Sequence, residues 1–405
     1  MNLKQILIIA FFSFIPFLFH VLHPVVLGTD AVFFYLFSCQ AQNIPSVPIQ
    51  PIAKLFFEAL PCNLLAFKFV SSIFLFASSL IVAKIGELFD KKYGWLAGLF
   101  VFFSTAWLGF HIQIEDDLLG YPILFGAVYF FLKGIKGNSE ISKALAVALV
   151  LFTGIFVWKG ALLYLVAFSL FWLPALIILF FSLFYIGFGS IGALLGNDLI
   201  QENMNFVLAS LAGAGTIGLG HGMGLVGLYI YRYRAWLFVP FLAALLVNLK
   251  WAVHLSPFLG VGIMLAVRDF DLKILTGKLH FENWVNNYFI WIFVGMALVS
   301  VTTQSIGLLF QTPYPTQIQA VSFAVEQANG KPMDNDWSYG YWIMFFDGNT
   351  VTYGGGWPNY TESWNDAILL TENPKINPDC KLLRTWEKGG FYKNDIRVYD
   401  CKSKP

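Results

Sequence analysis

Carboxylates stand in this chain where apolar surroundings give them least reason to be. Asp30 lies in Gly28-Thr29-Asp30-Ala31, Glu115-Asp116-Asp117 are three adjacent acids between long apolar runs, and Asp198 and Glu202 close the stretch Asn197-Asp198-Leu199-Ile200-Gln201-Glu202. A carboxylate within a bilayer costs about 2.5–3.5 kcal/mol on the insertion scale, so such groups are functional candidates by default. Adjacent acids also repel one another, and a divalent cation relieves that repulsion. Oxygen-only ligands from separate loops suit Mg²⁺ or Mn²⁺ and not zinc. The bland alternative is a set of solvated loop acids, and three acidic loops bordering apolar segments weigh against it.

Two further groups could do chemistry beside the acids. Lys250, in Leu249-Lys250-Trp251, either snorkels to the interface or holds a lipid-linked phosphate. The run Asp336-Trp337-Ser338-Tyr339-Gly340-Tyr341-Trp342-Ile343 is a poor membrane span and a good rigid aromatic recognition surface. His254 reads as a packed, hydrogen-bonded residue, and His221, within Gly220-His221-Gly222, as an intramembrane histidine without an assigned role. The chain carries no Gly-rich phosphate loop, no nucleophile elbow and no Cys/His metal spacing.

These residues need elements to hold them, and composition says which kind. Of 405 residues 58% are hydrophobic, 18% aromatic and only 12% charged, with a mean hydropathy of +0.67. That is too apolar for a soluble fold, so lipid is the solvent. The net charge of +1 points to no nucleic-acid partner. Apolar runs predict about eleven spans, near 5–22, 64–83, 94–110, 118–133, 143–157, 161–173, 175–192, 206–230, 235–249, 251–267 and 284–307, with a split at Pro174. The first is read as a retained span, not a removed signal peptide.

Lys84, Lys91, Lys92, Lys133, Lys136, Lys143, Arg232, Arg234, Arg268, Lys273 and Lys278 all fall on one side. The positive-inside rule makes that side cytoplasmic, with the N-terminus, and places the acids and the C-terminus outside. External loops are expected near 23–63, 111–118 and 193–205. The first, with Lys54 and Glu58, should form short interfacial helices. Cys39, Cys62, Cys380 and Cys401 then all lie outside, where Cys39–Cys62 and Cys380–Cys401 disulfides can persist. Residues 1–310 form the membrane domain. Residues 311–405 form a small external mixed α/β domain, helical near 315–328, with strands at Asn349–Tyr353 and Asp395–Tyr399.

In their order the motifs resemble the catalytic subunit of oligosaccharyltransferase, of the GT-C superfamily of membrane glycosyltransferases. Asp30 resembles that family's external-loop Asp after the first span. Glu115-Asp116-Asp117 resemble its DxD-type motif between the third and fourth spans. Leu199-Ile200-Gln201-Glu202 departs from its TIxE motif only at the first letter. Lys250 stands where the family more often has Arg. Asp336-Trp337-Ser338-Tyr339-Gly340 resembles WWDYG, with Asp336 in place of the first Trp and Ser338 in place of the Asp. Gly348-Asn349-Thr350 and the terminal Ile396-Arg397-Val398-Tyr399 also fit. No second tail motif of the DK or MI type is evident.

The resemblance implies a polytopic GT-C fold and a reduced, single-subunit, archaeal-type enzyme in a prokaryotic cell membrane. Its substrates would be a polyprenyl-linked glycan donor and an acceptor protein or peptide bearing Asn-x-Ser/Thr. It assigns catalysis to Asp30 and Glu202, and metal binding to Asp30, Glu115, Asp116, Asp117 and Glu202. Lys250 takes the lipid phosphate, and Asp336, Trp337, Ser338, Tyr339 and Gly340 take the acceptor. The alternatives are a GT-C enzyme moving one sugar to a lipid, glycan or hydroxyl, a transporter with acidic coupling sites, and a structural protein with a small ectodomain. Acids at span ends on one side disfavour the transporter, and the acid cluster is left unexplained by the last.

Overall fold

The computed structural model describes residues 1–26, 29–39, 50–112, 114, 116–186, 251–275, 283–308, 315–335, 339–348, 367–372, 380–387 and 395–401. Helix α1 (Leu3–Leu22) opens with a capping box in which Asn2 and Gln5 satisfy each other's backbone N–H groups. Helices α2 (Thr29–Ser38) and α3 (Pro51–Ala59) follow, as expected of the first loop, and Lys54 and Glu58 of α3 pair at 3.9 Å. Helix α4 (Leu64–Phe89) is capped by Asn63, whose side chain accepts from Ala66 N at 3.0 Å. Its 26 residues, at about 1.5 Å each, exceed the roughly 30 Å of a bilayer core.

The expected span at 94–110 is not one helix. Two 3₁₀ turns flank α5 (Ala97–Phe100), the chain breaks at Ser104, and α6 (Thr105–Ile112) resumes. A break at membrane depth leaves carbonyls that lipid cannot satisfy. Phe102 O is met by Ser300 Oγ and Gln304 Nε2, both at 2.9 Å. Ser104 and Ser256 share a hydrogen bond at 2.8 Å. Close approach here requires glycine: a Cβ on Gly98 would stand 2.5 Å from Ser79 O, and one on Gly260 2.8 Å from Ala97 O.

Helices α7 (Gly120–Gly137) and α8 (Glu140–Phe156) form a hairpin turned through Asn138 at φ 48°. Next come α9 (Leu163–Ser169) and α10 (Leu173–Ile186), parted as expected just before Pro174. Then follow α11 (Trp251–Leu275) and α12 (Asn283–Leu308). Five helices among the described residues are long and apolar enough to cross a membrane, within Leu3–Leu22, Leu64–Phe89, Asp117–Gly137, Val253–Asp271 and Tyr288–Gly307. Gly94–Phe103, Gly160–Ser169 and Leu173–Ser182 are shorter apolar segments. The spans expected at 206–230 and 235–249 lie outside the described residues.

One end of this bundle gathers the basic groups. The Met1 amino group meets Glu87 at 2.5 Å, Lys136 Nζ donates to Leu88 O at 2.6 Å, and Arg268 lies 3.9 Å from Asp90. Tyr93 donates to Asp271 at 2.5 Å. The starts of α4, α7 and α11 therefore lie together at the opposite end.

Beyond α12, helix α13 (Pro315–Ala328) packs on a four-stranded sheet, its Ala320, Val321 and Ala324 fully buried. The strands are β1 (Met333–Asn335), β2 (Ala367–Thr371), β3 (Lys381–Trp386) and β4 (Ile396–Cys401), in the order β1-β2-β4-β3. The pair β1/β2 is parallel and the others antiparallel. Helix α14 (Gly340–Phe345) follows β1 in sequence. Both expected disulfides, Cys39–Cys62 and Cys380–Cys401, are present. The expected helix at 315–328 and the strand near 395–399 form, whereas Asn349–Tyr353 lies outside the described residues.

Candidate active site

Helix α2, whose second residue is Asp30, is held by α4 at both of its ends. Before it, the fully buried Lys68 donates from Nζ to His20 O at 3.0 Å and to His23 O, the carbonyls that close α1. Such carbonyls lack helical partners, and a cation suits that end of the helix dipole. After α2, Cys39 is bonded to Cys62, one residue before the Asn63 cap of α4, with the Cα atoms 4.6 Å apart. Between these anchors Phe34 stacks on Phe57 at 4.3 Å and Tyr35 stands edge-on to Phe67 at 5.4 Å. Burial raises the Tyr35 phenol above its ordinary pKa.

The outward face of α2 receives α14. Phe33 meets Tyr341 at 5.1 Å and Tyr35 meets Phe345 at 5.7 Å between ring centroids. Tyr339, Trp342 and Ile343 are buried behind this contact. Gly348 ends the segment, donating from N to Ile343 O at 2.8 Å. A Cβ there would sit 2.6 Å from Ile343 Cγ2 and 2.8 Å from Val325 Cγ2, so only glycine lets α14 close on α13.

The second acidic motif forms a 3₁₀ turn, Asp116–Leu119, leading into α7, and Asp117 is buried at 2% exposure. Behind the turn lies a layer of histidine and aromatic rings. His111 Nδ1 bonds Trp107 O at 2.7 Å, and its ring lies 4.9 Å from Tyr121. Tyr121 meets His254 at 5.4 Å, and His254 stacks flat on Trp158 at 5.2 Å while its Nδ1 bonds the Tyr164 hydroxyl at 2.7 Å. His254 is thus the packed, hydrogen-bonded residue that the sequence suggested. Helix α11 begins at Trp251, directly after Lys250.

The elements bearing Asp30, Asp116–Asp117 and Tyr339–Gly340 therefore share the end of the bundle opposite the basic cluster. Glu115, Asp198, Glu202, His221, Lys250, Asp336, Trp337 and Ser338 lie outside the described residues. Among the described residues no group of three or more His, Cys, Asp or Glu is placed to hold a metal ion. Three residues outside every motif also reach these elements: Lys68 on the His20 and His23 carbonyls, and Gln317 and Glu372 on the Tyr339 hydroxyl. Lys68 had a usable signal, a lone cation in the apolar run 64–83. Gln317 and Glu372 had none, being ordinary polar residues far apart in the chain.

No protein-family profile matches the chain, and no curated protein matches its sequence. Solved structures do match. The Archaeoglobus fulgidus oligosaccharyltransferase in complex with zinc and sulfate superposes with a TM-score of 0.54 at 12% identity, over 90% of this chain and 68% of that one. ArnT from Cupriavidus metallidurans bound to undecaprenyl phosphate superposes with a TM-score of 0.53 at 11% identity, over 97% of each chain. The chain is similar to both in fold, in keeping with the expected architecture of several long apolar helices followed by a small C-terminal sheet.

Proposed function

We propose that this protein transfers a glycan from a polyprenyl (dolichyl) phosphate or pyrophosphate to the Asn side chain of acceptor proteins, inverting the anomeric centre. The carrying observation is the seating of α14, which continues the aromatic motif, directly on α2, which begins at the Asp30 motif, through Phe33 and Tyr341. This contact between helices more than three hundred residues apart supports reading the two motifs as halves of one site. The proposed orientation puts this end outside the membrane, with the N-terminus cytoplasmic and the C-terminus external, in a prokaryotic cell membrane of archaeal type. A single subunit suffices for both halves of the site.

Asp30, Glu115, Asp116, Asp117 and Glu202 would hold a divalent cation; all are oxygen donors, which suits Mg²⁺ or Mn²⁺. When bound, such a cation stabilises charge building on the departing phosphate. Asp30 and Glu202 accept hydrogen bonds from the acceptor amide N–H groups, orienting the nitrogen and reducing the delocalisation that makes it a weak nucleophile. Lys250 holds the lipid phosphate as a point charge. Asp336, Trp337, Ser338, Tyr339 and Gly340 grip the acceptor, and holding both substrates together supplies a large share of the rate. The similar structures support this: one is an oligosaccharyltransferase with zinc, and the other binds undecaprenyl phosphate.

Asp336 and Ser338, which replace the family's Trp and Asp, favour one alternative, a GT-C enzyme passing a single sugar to a lipid, glycan or hydroxyl. The deciding experiment offers purified protein a lipid-linked glycan and a peptide with Asn-x-Thr. Asn→Gln and Thr→Ala peptides and a chelator serve as controls. Glycopeptide formation that needs the Asn supports the proposal; transfer indifferent to its loss supports the alternative.

A further inference from the structure

The buried Tyr339 stands at the junction between the acceptor motif and α14, and its hydroxyl is held by two residues that no motif contains. Tyr339 donates its hydroxyl proton to Glu372 Oε1. Gln317 Nε2 donates to the same carboxylate oxygen at 3.1 Å and lies 3.4 Å from the Tyr339 hydroxyl. Gln317 is 6% exposed and Tyr339 wholly buried. Gln317 sits in the first turn of α13, Glu372 directly follows β2, and Tyr339 directly precedes α14. One carboxylate oxygen thus ties together the starts of two helices and the end of a strand.

The same strand anchors the chain just upstream. Asn335, the last residue of β1, pairs in register with Leu370 of β2, two residues before Glu372. The chain is therefore fixed to the β2 edge at Asn335 and again at Tyr339. A buried phenol needs a hydrogen-bond partner, and an ionised acceptor gives a stronger bond than a neutral one. Trp342, edge-on to Tyr339 at 5.8 Å, links that fixed position to α14, whose Tyr341 and Phe345 rest on α2.

We infer that Glu372, aided by Gln317, is a positioning residue for acceptor recognition, acting through the Tyr339 hydroxyl. This rests on the acceptor role proposed above for the motif. Kinetics of the full-length protein, with a lipid-linked glycan and an Asn-x-Thr peptide, test it. Glu372→Ala should raise the acceptor KM by about tenfold, the equivalent of one charge-assisted hydrogen bond, and leave the donor KM unchanged. Glu372→Gln, which retains an acceptor oxygen, should recover most of that loss. Tyr339→Phe should match Glu372→Ala, and the double variant should be no worse than either alone, because both delete one bond.

An unchanged acceptor KM, or equal rises in donor and acceptor KM, overturns the inference, as does additivity in the double variant. If Glu372→Ala does not fold, Tyr339→Phe decides by the same criteria, with Glu372→Gln expected to stay close to the wild type. The wild-type protein run with Asn→Gln peptide in the same assay separates the two levels. Wild-type transfer without need of the Asn sinks the acceptor proposal, whereas Asn-dependent transfer with unmoved variants sinks only the role of Glu372.

Discussion

Phe33 and Tyr341 lie 308 positions apart in the sequence, yet their rings meet at 5.1 Å with planes inclined by 50°. Phe33 is on the helix that begins at the Asp30 motif, and Tyr341 on the helix that continues the Tyr339-Gly340 motif. The contact joins the membrane bundle to the small C-terminal unit, where on the proposed function the two substrates would meet.

Truncating either ring should loosen that junction. Phe33→Ala and Tyr341→Ala should each lower thermal stability, with a coupling of roughly 0.5–1.5 kcal/mol between them beyond lost burial. A double-mutant cycle measured by thermal unfolding in detergent checks it. Coupling near zero would mean that the rings touch without holding the helices.

Lys68 should be less replaceable than a lysine in a span usually is. Lys68→Met removes the ammonium donor from the His20 and His23 carbonyls, and His20 O keeps only the His23 N–H at 3.2 Å; the cost is about 1–3 kcal/mol for a buried group left unsatisfied. Since those carbonyls precede α2 by a few residues, transfer activity should fall together with stability. Lys68→Arg should retain more of both.

Reducing Cys39–Cys62 should destabilise the same helix from its other end. The bond closes a loop over a sequence separation of 23, for which the chain-entropy account gives roughly 3 kcal/mol. The paired Cys39→Ser, Cys62→Ser variant should melt at lower temperature than the wild type. A reductant should then shift the wild type markedly further than the variant, which retains only Cys380–Cys401.

Removal of divalent cations should abolish transfer, and added Mn²⁺ or Mg²⁺ should restore it. Glu202→Gln and Asp30→Asn should each lower kcat by about a hundredfold or more, the scale seen when one preorganised charge-stabilising group is lost. Activity that survives chelation and both substitutions would remove the carboxylates from the reaction.

The sequence announces its long elements because lipid punishes exceptions. A bilayer demands apolar runs of fixed length, so the helices within Leu3–Leu22, Leu64–Phe89 and Tyr288–Gly307 were legible from hydropathy. The 94–110 segment misled because its break at Ser104 is apolar on both sides. What licenses that break is the donation of Ser300 and Gln304 to Phe102 O, from a helix nearly two hundred residues away.

By itself, then, the sequence indicated the membrane class, the basic end where Lys84, Lys136 and Arg268 lie, and the cysteine pairs. These depend on local composition and on spacing along the chain. Tertiary structure alone decided that α14 rests on α2, that Lys68 holds the end of α1, and that Glu372 and Gln317 grip Tyr339. Those are meetings of side chains from distant segments. They follow from how packed elements satisfy buried hydrogen bonds, which no run of neighbouring letters encodes.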